Sequence, residues 1–387
     1  MKVLIVSQHF PPDYGAVSFR MKDLAHQLKE NGHDVRVLTA QPHRYNLQSY
    51  PNKDTDSYEV KRISLKFQGS SIFSRIFGFF EFYFKARKKW KTYKGVSLDV
   101  IISTTPYMLE GLAGQFLAKK LKTKHVLDVR DLWPDTPIAL NAIRKNGPMA
   151  FILRRLERRL YSKADGIVVT SPGYIEHIKH ISNPPRLEVV LNGIDSEMLN
   201  TNNAIDPKVP SERPVNLLYA GNIGVAQDLM SFIKMIRYDA SIINFEIIGA
   251  GSQLNSIVDY IHKNNLKHIT ITEPKSRIDL MKSYQNADML YLQLHANAYF
   301  DKVIPSKIFE YLATQKPIIY KLDGSAHEIL KGYPMTYQLN EFSLDSLKEL
   351  ISDALEEKRV LRKLDSLQRK KQSQKYVKFI EKVAHND

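Results

Sequence analysis

The chain has 387 residues, more than one ordinary hydrophobic core accommodates, so two domains are expected. Its 43% hydrophobic and 25% charged residues are typical of a soluble globular protein, and the absence of cysteine excludes disulfides, thiolate nucleophiles and cysteine metal sites. A formal net charge of +15 indicates an anionic partner: a phosphate-bearing substrate, a membrane or nucleic acid.

Apolar runs alternate with amphipathic helical patterns along the chain, which predicts βαβ units and parallel sheets. The first run, at residues 3–6, is too short for a signal peptide and is predicted to be a buried strand. Further strands are predicted at residues 35–39, 100–103, 125–127, 166–170, 188–191, 216–220, 245–248, 268–271, 289–291 and 317–320. We therefore expect an α/β protein with two doubly wound Rossmann-like domains that bind their ligands in a cleft at the strand ends.

An Asn-, Pro- and Ser-rich stretch at residues 200–214 is predicted to be the linker between the two domains. The domains then span residues 1–199 and 215–365, and residues 366–387 form a closing charged helix. A chain without cysteine fits the reducing cytoplasm.

The loop at residues 9–20 follows the first predicted strand and precedes a helix. Its two prolines keep the chain extended, and Gly15 permits close backbone approach, as a loop that faces a diphosphate requires. The full dinucleotide fingerprint is missing, which disfavours a nicotinamide enzyme. A plain strand-to-helix turn is the alternative.

The stretch at residues 72–91 is the densest aromatic and basic segment of the sequence. Arg75 and Glu81 interrupt it, so it does not suit a hydrocarbon core of about 30 Å. Two interpretations fit: contact with an anionic membrane surface, or a buried helix with a solvated basic end. The candidate membrane residues are Phe79, Phe80, Phe82, Phe84, Lys85, Arg87 and Lys88.

Residues 128–135 concentrate three carboxylates and a guanidinium after a predicted strand, where doubly wound folds place their chemistry. Arg130 and Asp131 are the candidate catalytic residues. Because an arginine cannot serve as a general base, Arg130 is expected to hold an acceptor phosphate or a developing negative charge. The alternative is a buried Asp–Arg pair with a structural role.

The most informative stretch is residues 300–320, which is predicted to be a loop, a short helix and a buried strand. Pro305 and Ser306 suit a helix start, and Lys307 beside it suits a diphosphate. Glu310 lies about one turn farther along, within reach of a ribose. Together these residues predict a nucleotide-sugar site, the alternative being an amphipathic helix with a solvated Glu310.

This stretch resembles the donor-binding motif of the retaining, family-four glycosyltransferases of GT-B fold, in which two glutamates flank a turn and the second binds ribose. The second glutamate matches Glu310, whereas Lys302 occupies the position of the first, which usually holds hexose hydroxyls. The resemblance covers nearly the whole chain and is weakest over residues 48–95 and 333–387. It implies that the C-terminal domain binds a UDP-sugar, the N-terminal domain binds the acceptor, and the last helix crosses back to the first domain.

The resemblance also assigns donor contacts elsewhere. In relatives an arginine and a lysine clamp the diphosphate where this chain has Asn222 and Gln227, so Lys302 or Lys307 is expected to supply the missing charge. Gly249 matches the family's Gly-x-Gly turn, and Lys275 follows a strand where relatives hold the base.

The segment 128–134 is similar to one in bacterial surface-polysaccharide enzymes, including N-acetyl-L-fucosamine transferases. That alignment keeps Asp131 and places Arg130 where many relatives have a catalytic histidine.

The leading hypothesis is thus a retaining glycosyltransferase without metal or cofactor, since His, Asp and Glu do not recur at ligand spacing. By resemblance it moves a sugar, an N-acetylated amino sugar being one candidate, from a UDP-sugar to a polyprenyl-diphosphate-linked glycan. The product would be a surface polysaccharide such as capsule or O-antigen, built by a peripheral protein on the inner face of the cell membrane. A GT-B nucleotide-sugar 2-epimerase and a non-enzymatic nucleic-acid binder are the alternatives; no nucleic-acid motif supports the latter.

Overall fold

A computed structural model describes residues 1–13, 15–42, 58–67, 72–200, 213–358 and 360–385 of the chain. It divides into two compact units: unit 1 is Met1–Gly193 with Ser366–Asp387, and unit 2 is Ile194–Asp365. Most of the predicted linker, residues 201–212, lies outside the described residues. The first predicted domain ended at residue 199, whereas the first segment of unit 1 ends at Gly193.

The sheet of unit 1 is parallel throughout its described pairings, in the order β3-β2-β1-β4-β5-β6-β7. Its strands are β1 (Lys2–Val6), β2 (Asp34–Ala40), β3 (Glu59–Ile63), β4 (Val100–Thr104), β5 (Lys124–Val129), β6 (Gly166–Val169) and β7 (Leu187–Val189). In chain order, β2 and β3 add to one side of β1, and β4 to β7 then add to its other side. Ligands of doubly wound folds bind at the carboxyl ends of the strands where this reversal occurs.

Helices cover both faces of this sheet, because successive residues of a buried strand point to opposite faces and both must be covered. The helices of unit 1 are α1 (Ala16–Glu30), α2 (Ile72–Lys88), α3 (Trp90–Tyr93), α4 (Met108–Leu121), α5 (Asp135–Ala139), α6 (Pro148–Ser162), α7 (Ile175–Ile181) and α15 (Arg369–His385).

Two cores result, one on each face of the unit 1 sheet. On one face Val3 and Ile5 of β1 pack with apolar residues of α1 and α15. On the other face Leu4 and Val6 pack with residues of α2 and α4. The closing helix α15 thus belongs to unit 1 and supplies Tyr376, Val377, Phe379, Ile380 and Val383 to its core.

Unit 2 repeats the arrangement with a parallel sheet in the order β10-β9-β8-β11-β12-β13. Its strands are β8 (Val215–Asn222), β9 (Ile243–Ala250), β10 (Ile269–Thr272), β11 (Met289–Gln293), β12 (Ile318–Lys321) and β13 (Thr336–Gln338). Its helices are α8 (Ser196–Asn200), α9 (Leu229–Ile236), α10 (Leu254–Lys263), α11 (Arg277–Asn286), α12 (Lys307–Ala313), α13 (Gly324–Leu330) and α14 (Leu344–Glu356). The reversal of strand order falls between β8 and β11.

Every predicted strand is present, and the predicted α/β class with two Rossmann-like units is confirmed. The strands β3 and β13 were not predicted. Both lie at a sheet edge and are short, and β3 carries the charged sequence Glu-Val-Lys-Arg-Ile, so neither has the continuous apolar run of a buried strand.

Candidate functional site

In unit 2 the loops that follow β8 and β11 meet at the reversal of strand order. The backbone N–H of His295 donates to the carbonyl oxygen of Ala226 at 2.8 Å, and Gln293 Nε2 donates to the carbonyl oxygen of Asp228 at 3.2 Å. Both contacts join the end of β11 to the loop after β8. The connection from β11 to α12, which contains Lys302, Pro305 and Ser306, therefore begins at this point of the sheet.

A hydrogen-bonded group of three side chains lies at the start of α12. Glu310 Oε2 accepts from Lys307 Nζ at 2.6 Å and from Tyr284 Oη at 3.0 Å. Lys307 Nζ also lies 3.3 Å from Tyr284 Oη. About a third of the Glu310 side chain, 34%, is exposed, so its carboxylate is oriented by the protein and open to a further donor.

The neighbouring residue of α12 fixes this helix to the sheet. Tyr311 is fully buried, and its hydroxyl oxygen accepts from the backbone N–H of Ala220 in β8 at 2.8 Å. Its ring packs edge-on against Tyr284, with centroids 5.8 Å apart. Glu310 is therefore held at a defined place next to the end of β8.

The predicted side-chain cap at Ser306 is wrong. Ser306 occupies the N-cap position of α12, but its side chain makes no cap hydrogen bond and is exposed. Its backbone is already helical, with φ −59° and ψ −23°, whereas a capping serine normally has an extended backbone that aims its hydroxyl at the first turn. Pro305 starts the turn through its carbonyl oxygen, which accepts from Ile308 N–H at 3.1 Å.

Two amide side chains close the loop after β8, at the positions where the resemblance implied an Arg/Lys clamp. Asn222 Nδ2 donates to Gln227 Oε1 at 2.9 Å, and the same oxygen accepts from Gly224 N–H at 3.2 Å. Gly249 is required for a different reason: a Cβ there would lie 1.9 Å from the carbonyl oxygen of Gly221. The glycine lets the ends of β8 and β9 approach each other.

The other two lysines predicted to bind the donor, Lys275 and Lys302, differ in their surroundings. Lys275 Nζ donates to Glu246 Oε1 at 2.9 Å and to Ser283 Oγ at 2.8 Å, so its charge is matched within unit 2. Lys302 ends the short 3-10 turn Phe300–Lys302 and is partly exposed in the connection that leads to α12. Of the predicted donor residues, Lys302, Pro305, Ser306, Lys307 and Glu310 thus share one connection and helix.

In unit 1 the loop after β1 leads into α1 through Gly15. This residue has φ +153°, a backbone conformation that residues with a side chain rarely adopt. Apart from its chain neighbours, no atom of the described residues lies within 4 Å of the place where a Cβ would stand. The backbone at the start of α1 is therefore approachable, and the role of this loop toward a diphosphate stays a prediction.

A buried ion pair lies beside this loop. Both oxygens of Asp128, in β5, accept from Arg20 of α1: Nε at 2.9 Å and Nη2 at 3.0 Å. Arg20 Nη1 also donates to the carbonyl oxygen of Leu191 at 3.1 Å. The structural Asp–Arg pair considered for residues 128–135 is thus formed by Asp128 with Arg20, and Arg130 takes no part in it.

Arg130 and Asp131 follow directly after β5. The Arg130 backbone is fixed from both sides, since its N–H donates to Thr105 Oγ1 at 3.0 Å and its carbonyl oxygen accepts from Thr170 Oγ1 at 3.2 Å. Burial lowers the pKa of the Arg130 guanidinium, although the Asp128 carboxylate acts in the opposite direction. Burial raises the pKa of Asp131 to about 6, against the lowering effects of Arg130 and of a hydrogen bond from Tyr174.

Two further buried contacts of acidic side chains, near the carboxyl ends of the unit 1 strands, were not predicted. Glu110 of α4 accepts from the backbone N–H of Gln8 at 3.0 Å, and His9 Nδ1 lies 2.9 Å from Asp13 Oδ2. The spacing of His9 and Asp13 directly after a strand was a usable signal. Glu110 stands among apolar residues of a helix, so the sequence carried no signal for it.

The predicted membrane residues of α2 separate into two sets, and the prediction for Phe82 is wrong. Phe82 is fully buried and packs in the core with Leu4 and Ile101. Phe79 is partly buried and stacks on Tyr107 with centroids 3.7 Å apart. A helix turns about 100° per residue, so successive residues point in different directions, and one helix has both a buried face and an exposed face.

The outward stripe of α2, residues Phe77, Phe80, Phe84 and Lys88, is exposed at the helical spacing of three and four residues. Of the other predicted basic residues, Lys85 pairs with Glu81 at 2.7 Å and Arg87 lies 4.0 Å from the Phe116 ring centroid. Among the described helices, none is long and apolar enough to cross a bilayer.

Solved structures define the class to which this architecture belongs. The lipopolysaccharide outer core galactosyltransferase WaaB superimposes with a TM-score of 0.62 at 13% identity, over 100% of this chain and 99% of WaaB. HepE of Anabaena, solved with UDP and glucose, gives 0.65 at 12% identity, over 100% and 98%. The fold is GT-B.

The sequence comparisons match one known domain and several named glycosyltransferases. Residues 15–193 match the glycosyl transferase 4-like domain. WcaI of Escherichia coli (strain K12), named as a glycosyl transferase of colanic acid biosynthesis, is 22% identical over 345 residues, 81% of this chain and 81% of WcaI. Unit 1 thus contains a region that matches the glycosyl transferase 4-like domain, and the similarity to WcaI extends over most of the chain.

Proposed function

We propose that the protein is a retaining glycosyltransferase that moves a sugar from a UDP-sugar to a polyprenyl-diphosphate-linked glycan during surface polysaccharide biosynthesis. One observation carries the proposal: the partly exposed Glu310 carboxylate, oriented by Lys307 and Tyr284 at the strand ends of unit 2. The names of WcaI and WaaB support the biosynthetic role, and the UDP held by HepE supports the nucleotide.

In this proposal unit 2 holds the donor. Glu310 accepts hydrogen bonds from the ribose hydroxyls, since a carboxylate is the strongest acceptor available there. Lys307 and Lys302 meet the diphosphate charge in place of the Arg/Lys clamp, whose positions carry the amides of Asn222 and Gln227. Gly249 lets the backbone approach the ligand, and the loop at Lys275 lies against the base.

The reaction exchanges one bond at the anomeric carbon. The bond from this carbon to the diphosphate oxygen breaks, and the acceptor hydroxyl forms a bond to the same face of the sugar. The hydroxyl proton passes to the released phosphate oxygen, so atoms and charge balance. The lysines stabilise the negative charge that develops on UDP, and we assign no metal or cofactor to this step.

Unit 1 holds the acceptor near Arg130 and Asp131. The desolvated guanidinium of Arg130 is suited to an acceptor phosphate, because a buried cation gains strongly from an anionic partner. The segment around these residues, from Asp128 to Pro134, favours a relative of the N-acetyl-L-fucosamine transferases and hence an N-acetylated amino sugar.

A lipid-linked acceptor requires a position at the membrane, and we place the protein on the cytoplasmic face. The outward stripe of α2 presents Phe77, Phe80 and Phe84 with Lys88, a combination that suits the interface of an anionic bilayer.

Incubation of the purified protein with radiolabelled UDP-sugars, with and without a membrane lipid extract, tests the proposal. We expect transfer of label to lipid only when the extract is present. Isomerisation of the UDP-sugar without acceptor would instead identify a 2-epimerase. Neither transfer nor isomerisation, together with retention on nucleic acid, would identify the non-enzymatic binder.

A further inference from the structure

Helix α6 carries a group of exposed apolar side chains in its first two turns. Met149, Phe151 and Ile152 are 55%, 71% and 53% exposed, whereas Leu160, near the other end of α6, is buried. Single exposed apolar residues are common, but three large ones within four positions form a patch of the kind found at interaction surfaces.

Basic residues surround this patch. Phe151, Arg155 and Arg158 lie on one stripe of the helix, at the spacing of three and four residues. The sole acidic residue between positions 144 and 163 is Glu157, which is buried and lies 2.8 Å from His177. The exposed cations of the segment are Arg144, Lys145, Arg155, Arg158, Arg159 and Lys163.

The patch lies at the edge of unit 1 that carries the acceptor site. The Leu160 carbonyl oxygen accepts from Gln115 of α4 at 3.2 Å, and Arg154 pairs at 2.9 Å with Asp135, which lies beyond the carboxyl end of β5. The axis of α6 thus runs from the sheet to its carboxyl edge. Residues 148–152 continue past this edge at about 1.5 Å per residue.

The exposed phenylalanines of α2 lie at the same edge. Phe79 stacks on Tyr107, which directly precedes α4 at the carboxyl end of β4. Helix α4 packs between α2 and α6, since Phe116 of α4 contacts Arg87 of α2 and Gln115 contacts α6. The two apolar groups therefore flank α4 on one face of the sheet.

We propose that α6 is a second membrane-contact element and that, with α2, it docks the carboxyl edge of unit 1 on an anionic bilayer. This inference rests on the proposed function and adds the surface and orientation by which unit 1 meets the lipid-linked acceptor. Phe151 and Ile152 enter the interface, and Arg155 and Arg158 reach the lipid phosphates, as long basic side chains do. A second copy of this chain is a poor partner for the α6 surface, because it would place like charges opposite each other.

Vesicle sedimentation tests this surface. Phe151→Ser with Ile152→Ser should weaken partitioning onto phosphatidylcholine vesicles containing phosphatidylglycerol by about tenfold or more. Tyr238→Ser with Ile278→Ser removes similarly exposed apolar groups from unit 2 and should leave partitioning unchanged. Arg155→Gln with Arg158→Gln, which keeps the apolar patch, should reduce the dependence on phosphatidylglycerol.

Wild-type partitioning by the Phe151/Ile152 variant, or an equal loss in the unit 2 control, would overturn the inference. So would a change of oligomeric state in light scattering without a change in vesicle binding. Transfer to a lipid acceptor in detergent separates the two proposals. If the wild type transfers sugar but binds vesicles independently of α6, only this inference fails; if vesicle binding depends on α6 but no transfer occurs, only the proposed function fails.

Discussion

Lys307 Nζ lies 2.6 Å from Glu310 Oε2, so the cation proposed for the diphosphate and the carboxylate proposed for the ribose hold each other. Both side chains are partly exposed, and such pairs contribute little stability, typically about 0–1 kcal/mol. In the proposed complex, a nucleotide would therefore replace this contact at small cost, and each side chain would gain a ligand partner instead.

Replacement of Glu310 should weaken UDP binding. We expect Glu310→Ala to lose about 1.5–3 kcal/mol, or roughly ten- to hundredfold in affinity, because hydrogen bonds to a charged acceptor are removed. Glu310→Gln keeps the shape and a neutral acceptor and should lose less. Isothermal titration calorimetry measures both, and unchanged affinity in the alanine variant would refute the ribose contact.

Replacement of Lys307 should affect UDP more than uridine. Lys307→Ala removes a charge from the diphosphate, whereas the base and ribose contacts remain, so the loss should be confined to the phosphate-bearing ligand. Lys282→Ala, which removes an exposed lysine paired with Asp279 at 3.3 Å, is the matched control. Equal losses for UDP and uridine would show that Lys307 only positions Glu310.

The raised pKa of Asp131 makes the stability of unit 1 depend on pH. The folded state has a pKa of about 6 against an ordinary value of 3.8, so between these values it binds more protons than the unfolded chain. The free energy of unfolding therefore falls as pH rises across that window.

Asp131→Asn should abolish this contribution. The difference in unfolding free energy between variant and wild type should grow in favour of the variant from about pH 4 to above pH 6, by on the order of 3 kcal/mol. Urea denaturation at a series of pH values measures it. A difference that stays constant with pH would contradict the raised pKa.

The buried pair of Arg20 and Asp128 should be important for folding rather than for donor binding. Arg20→Ala leaves the Asp128 carboxylate buried without its cation, which costs about 3–5 kcal/mol. Replacing both by apolar residues of similar volume, Arg20→Met with Asp128→Leu, should restore much of this loss. Denaturant unfolding and UDP calorimetry together check the assignment, and a double variant no more stable than Arg20→Ala would count against it.

Replacement of the α2 phenylalanines should affect stability where the side chain is buried and vesicle binding where it is exposed. Phe82→Ser should destabilise unit 1 by about 3–5 kcal/mol, because it opens a cavity in a dense core. Phe80→Ser with Phe84→Ser should leave thermal unfolding nearly unchanged and reduce binding to anionic vesicles. Vesicle binding that survives the exposed replacements would exclude the outward stripe of α2 from membrane contact.

The periodicity of the sequence was sufficient for most of the fold. Buried parallel strands are continuous apolar runs, so Val3–Val6 and its counterparts could be located without tertiary information. β3 could not be located in this way, because an edge strand is half solvated and its charged residues interrupt the apolar run. The end of the first segment of unit 1 at Gly193 also depends on packing, which composition does not encode.

The candidate site was predictable where one short segment carries it. Glu310 and Lys307 lie three residues apart on one helix, so their contact follows from helical spacing. The partner of Asp128 is 108 residues away in sequence, and Arg130, two residues from Asp128, was the more obvious candidate. Sequence analysis missed the surface of α6, because Phe151 differs from the core phenylalanines only in its exposure, which the fold determines.

The position of α15 in unit 1 determines the order in which this chain completes its cores during synthesis. Residues 369–385 contribute side chains to the core that contains Met21, Leu24 and Leu28 of α1, yet they follow all of unit 2 in the chain. While the ribosome makes residues 194–365, this core therefore lacks the side chains that α15 supplies. All of unit 2, which is continuous in sequence, is synthesised before unit 1 receives its last helix, so the unit that begins the polypeptide is the last to have its sequence complete.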